Sequence, residues 1–86
     1  MIAIEELEAF IQRRLEGAEV RVSDMTGRGD HFEIEVVSRR FQGMSLLERH
    51  RLLHDIVQEA PDARDIHAVK FKTLTPQERS GRISSS

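Results

Sequence analysis

Ile4, Leu7, Ile11 and Leu15 recur every three or four positions, so residues 3–16 are predicted to form an amphipathic helix with one apolar stripe, widened by Phe10. Glu5, Glu6 and Glu8 near its start and Arg13 and Arg14 near its end complement the helix dipole, and Gly17 is a natural stop. The period then changes from about 3.6 to 2. Val20 and Val22 alternate with Glu19 and Arg21 over residues 19–24. Phe32, Ile34 and Val36 alternate with His31, Glu33 and Glu35 over residues 31–38. Two such runs, joined by the glycine-containing loop Met25–Asp30, predict an antiparallel hairpin. A connection centred on Gly43 follows. Ser45 and Glu48 then have the spacing of a capping box and open a second helix. Its apolar face carries Leu46, His50, Leu53 and Val57, with Leu47 and Ile56 beside them. Pro61 should end the helix near Ala60. Residues 66–73 read as a third strand, with His67, Val69 and Phe71 on one face and Ala68, Lys70 and Lys72 on the other. Thr75 to Glu78 reads as one capped helical turn with Pro76 at its first position.

The order helix, strand, strand, helix, strand, short helix predicts an α+β two-layer sandwich, αββαβ(α), with two helices on one face of a three-stranded sheet. The second and third strands are joined through a helix, which lets them run parallel and makes the sheet mixed. With 86 residues the chain is expected to hold one domain, over 1–79, followed by a Ser-rich tail, 80–86, expected to be disordered. A hydrophobic fraction of 38% against 33% charged residues is that of a globular chain rather than a disordered one. The formal net charge of −2 argues against a dedicated nucleic-acid binder. The absence of cysteine removes disulfides, thiolate metal sites and a cysteine nucleophile, and fits a reducing compartment; a cytoplasmic location is expected. The first residues lack the basic and long apolar regions of a signal peptide. No apolar run approaches the ~20 residues that span a membrane.

Four histidines are the candidate ligands: His31, His50, His54 and His67. His50 and His54 have an i, i+4 spacing that can bind a metal. His50, however, falls on the apolar stripe and reads as structural, and His54 reads as a solvated helix residue. His31 opens the second strand beside the glycine loop, and His67 opens the third after a polar link; each is either a ligand or a partly buried strand residue. Arg49, Arg51, Lys70 and Lys72 could contact phosphates, with Arg39 and Arg40 as further cations. Acidic neighbours offset several of these, which favours a solvated charged face. No catalytic constellation is evident, and the chain is not expected to be an enzyme. The Met25–Asp30 loop joins strands and opens no helix, unlike a phosphate cradle.

Taken together, Val36-Val37-Ser38, Phe41-x-Gly43-x-Ser45, Arg49-His50-Arg51, Ile66-His67-Ala68 and Lys72-Thr73-x-Thr75-Pro76 resemble the BolA family over about Val20 to Glu78. The resemblance implies a class II KH-like domain. It also implies a monothiol glutaredoxin as heterodimeric partner, with a shared [2Fe–2S] cluster to which the glutaredoxin gives its cysteine and bound glutathione. No cluster is expected in the isolated chain. On the BolA side the resemblance implies a histidine ligand at His67 and a His or Cys from the first hairpin loop. It further implies a role in iron–sulfur trafficking or iron regulation and, as the alternative, a DNA-binding transcriptional regulator, here with weak binding. The loop position of the family ligand falls near Arg28 or Gly29, and the loop holds neither His nor Cys. His31 is the nearest replacement, with Asp30 or an outside ligand as the other choices.

Overall fold

A computed structural model of the chain describes residues 3–84. Helix α1 spans Ile4–Arg14 and buries Leu7 and Ile11; Leu15, just beyond it, is buried as well. The chain reverses at Gly17, whose φ of 80° is a conformation that a side chain disfavours. Strand β1, Glu19–Asp24, and strand β2, His31–Val37, form the predicted antiparallel hairpin, with Val20 opposite Val36 and Val22 opposite Ile34. After a 3-10 turn at Arg39–Phe41, helix α2 runs Leu46–Gln58. Its capping box is formed on both sides. The Glu48 backbone N–H donates to Ser45 Oγ at 3.1 Å, and the Ser45 N–H donates to Glu48 Oε1 at 2.7 Å. Strand β3, Ala68–Leu74, returns parallel to β2, giving the mixed sheet order β1-β2-β3 with β2 in the centre.

One face of this sheet carries the core. Val22, Phe32, Ile34 and Val36 pack with Leu7, Ile11 and Leu15, and with Leu53, Ile56 and Val57 of α2. Phe41 closes one end and is fully buried. Burial of these apolar side chains is the main drive for the fold, on the order of 1.5–3 kcal/mol for each large one. The opposite face follows from the strand period. Arg21 stands opposite Glu35, which stands beside Lys72, and Glu33 stands beside Lys70, so this face is polar and its charges alternate in sign.

Four expectations need correction. Leu46 and Leu47 lie 63% and 59% exposed, because the first turn of α2 lies outside the buried cluster that its later turns join. Strand β3 starts at Ala68 and not at Ile66, so His67 precedes the ladder rather than opening it. Helix α1 stops at Arg14 and not at residue 16, since the chain must turn at Gly17 to enter β1. The single turn predicted at Thr75–Glu78 is the start of helix α3, Pro76–Ser84; the expected tail thus begins as helix, and residues 85–86 lie outside the described residues. A second capping box starts α3. The Glu78 N–H donates to Thr75 Oγ1 at 3.0 Å, and the Thr75 N–H donates to Glu78 Oε1 at 2.9 Å. An ion pair from Arg79 to Glu19 fastens α3 to β1.

Candidate metal-ligand site at the start of the parallel strands

The parallel register places the first residues of β2 and β3 at the same end of the sheet, with His31 opposite Ala68. The link is tightened one residue earlier. The Asp30 carbonyl accepts from the His67 N–H at 2.8 Å and from the Ala68 N–H at 3.2 Å. The backbones of His31 and His67 are therefore tied to one carbonyl, although the residues are far apart in sequence. Both side chains are exposed. They leave the sheet differently. His31 alternates with the buried Phe32 and so stands on the open polar face. His67 lines a groove of about 180 Å³ on the α2 side, together with Val57, Ile66, Phe71 and His54.

The loop before His31 is built on one carboxylate. Asp24 Oδ1 accepts from the backbone N–H groups of Thr26 (3.2 Å) and Gly27 (2.9 Å), and Oδ2 accepts from that of Gly29 (2.9 Å). The φ values of +78° at Gly27 and +73° at Gly29 let the chain wrap around this anion. At the far end of the loop the Thr26 hydroxyl donates to Asp30 Oδ1 at 2.7 Å. That bond holds the Asp30 carboxyl below its ordinary range, partial burial opposes it, and the nearby His31 and His67 imidazoles add to the lowering. One oxygen of Asp30 is thus already engaged. Among the described residues, no group of three or more His, Cys, Asp or Glu side chains is arranged to hold a metal ion.

The other predicted residues go elsewhere. The His50 ring faces Phe71, with centroids 5.8 Å apart, and its Nε2 is buried without a partner; this is the structural placement that the apolar stripe predicts. His54 is exposed, near Asp55 and Gln58. Arg49 is engaged within the chain. Its guanidinium makes a bidentate pair with Glu78 at 2.8 and 3.0 Å. It also donates to the carbonyls of Met44 and Thr73 and lies over the Phe41 ring, which leaves its side chain 11% exposed. Lys70 and Lys72 stand on the open face among Glu33 and Glu35, with Lys72 Nζ 3.7 Å from Glu33. Arg51 is exposed on α2, in the layer behind the sheet. These four cations are therefore split between two layers and the interior, and they form no common basic surface.

Asp24, which organises the loop, was not among the sequence candidates. The pattern Asp-x-Thr-Gly-x-Gly over Asp24 to Gly29 is the signal that could have found it, because short acidic side chains cap turn N–H groups locally.

These features define a class: a small α+β domain with a mixed three-stranded sheet that presents two histidines where its parallel strands begin. The BolA-like protein family model matches residues 11–78, and the chain belongs to the BolA-like family. Over 80 residues it is 39% identical to Protein BOLA2 of Arabidopsis thaliana, covering 91% of this chain and 84% of that one. A crystal structure of a bol-like protein from Babesia bovis is similar with a TM-score of 0.82 at 28% identity, covering 96% of this chain and 95% of the other. The solution structure of yeast Fra2 is similar with a TM-score of 0.75 at 31% identity, covering 98% and 90%. Among the described residues no helix is long and apolar enough to cross a membrane.

Proposed function

We propose that this chain is a non-catalytic partner of a monothiol glutaredoxin. In the heterodimer His67 would ligate a shared [2Fe–2S] cluster in iron–sulfur trafficking or iron regulation, with His31, on the other face at the same end of the sheet, as the second histidine of this chain. The observation that carries this reading is the Asp30 carbonyl, which ties the start of β3 to the start of β2 and so holds two exposed histidines at one end of the sheet. Their donor chemistry fits the group. Imidazoles replace thiolates on one iron of Rieske-type [2Fe–2S] centres, and this chain has histidines and no cysteine. The remaining ligands would come from outside this chain. In the family resemblance they are the glutaredoxin cysteine and glutathione.

The chain's own contribution is positional. The Asp24-centred loop fixes where β2 begins, and the hydrogen bond from the His67 N–H to the Asp30 carbonyl fixes the His67 backbone relative to it. Imidazole must be deprotonated to ligate, so acid should weaken the shared site. Histidine ligation raises the reduction potential of such a cluster relative to an all-thiolate one.

The test is anaerobic reconstitution with a monothiol glutaredoxin, ferrous iron, sulfide and glutathione, followed by visible circular dichroism. His67→Ala is expected to lose the spectrum of the mixed complex while its far-ultraviolet spectrum stays native. Loss in His31→Ala as well assigns the loop-side ligand to His31. An unchanged spectrum in His67→Ala removes His67 from the site.

A further inference from the structure

Methionine is ordinarily a core residue, yet Met25 is 58% exposed. Its backbone N–H donates to the His31 carbonyl at 2.8 Å. This bond extends the β1–β2 register, in which Asp24 faces Phe32, by one further pair. Residues directly opposed in an antiparallel pair share a face, with Cβ atoms about 4.5–5.5 Å apart. Phe32 points into the core, so the next pair, Met25 and His31, stands on the open face. The Asp24 carboxylate fixes the loop between them. The Asp30 carboxylate, next to His31 in the chain, adds a negative charge nearby.

A thioether does not attract hard cations. Thioether donors select Cu(I), and imidazole binds copper as well. The chain has no thiolate that would draw a soft ion elsewhere. We propose that Met25 Sδ and a His31 ring nitrogen form a binding site for a soft monovalent cation of the Cu(I) class. The site lies within this chain and needs no partner.

The probe is Ag(I), which shares the Cu(I) preference for sulfur and does not change oxidation state. It is titrated in chloride-free buffer into the full chain carrying methyl-labelled methionine. Three methionines, Met1, Met25 and Met44, give three assignable methyl signals. The Met25 methyl is expected to shift and saturate at one equivalent while that of Met44 stays fixed. Met25→Leu and His31→Ala are each expected to weaken binding by more than about tenfold, the smallest loss typical even of outer-shell changes at metal sites. Leucine is close to methionine in volume and the position is exposed, so Met25→Leu keeps the fold. A shift confined to the Met1 methyl overturns the proposal, as does unchanged affinity in either variant. The titration contains no glutaredoxin, iron or sulfide. Its failure leaves the cluster reading standing, and failure of cluster reconstitution leaves this site standing.

Discussion

Replacing Asp24 by alanine removes the acceptor for three loop N–H groups at once, those of Thr26, Gly27 and Gly29. The first two bonds are exposed and the third is partly buried, so water can replace much of what is lost. Each should therefore count at the low end of the usual 0.5–1.5 kcal/mol, for a total of about 1.5 kcal/mol. In a domain of this size 1 kcal/mol moves Tm by about 4–8 °C, which predicts a fall of roughly 6–12 °C. Thermal unfolding followed by circular dichroism gives the shift. Native-state amide exchange locates it, with the Gly27 and Gly29 amides losing protection while the β2–β3 ladder keeps its own. Asp24→Asn should fall between, since its amide group retains one acceptor oxygen but cannot accept on both sides. A Tm within about 2 °C of wild type, with unchanged exchange at the two glycines, would refute the view that this carboxylate builds the loop.

Other expectations follow from the packing and the charges. Leu53→Ala, at a fully buried position of α2, should lower stability by about 2–5 kcal/mol in urea titrations with an unchanged m-value. The bidentate pair with Arg49, followed by the Thr75 N–H, draws the Glu78 carboxyl from 4.5 down to about 2. A depressed folded value means that this stabilisation is complete above about pH 4.5 and is lost as pH falls through 2. Denaturant titrations across that window should therefore show a steeper acid loss in wild type than in Glu78→Gln, and equal slopes would refute the pairing.

Local chemistry made much of the fold legible in the sequence. The alternation of Val20, Val22, Phe32, Ile34 and Val36 is set by the strand period, and both strands of the hairpin begin where it places them. Ser45 and Glu48 carry their capping box in four consecutive residues, and both of its hydrogen bonds form. His50 could be assigned to the interior because its neighbours on the stripe are apolar. What escaped was decided through space. Arg49 reads as a surface cation until α3 brings Glu78 to it, and no periodicity in the chain announces that meeting. Leu46 and Leu47 belong to the right stripe, but a three-stranded sheet with a small core does not reach the whole of α2. At the candidate site the resemblance supplies His67. The register is what ties its backbone to that of His31, and it also shows that the two imidazoles leave the sheet by different faces.

The shared Asp30 carbonyl has a consequence for when the site exists at all. It joins segments separated by the whole of α2, so the two histidines are neighbours only after the crossover has closed and β3 has docked. A chain still missing β3, or one with α2 detached, holds both residues and no site. Any ligand that needs both would then bind the finished fold and not its precursors, and it would stabilise that fold in proportion to the logarithm of its concentration over Kd. Under the proposed cluster reading, occupancy would double as a check on assembly, since the chain would become competent to ligate in the same cooperative step that completes its sheet.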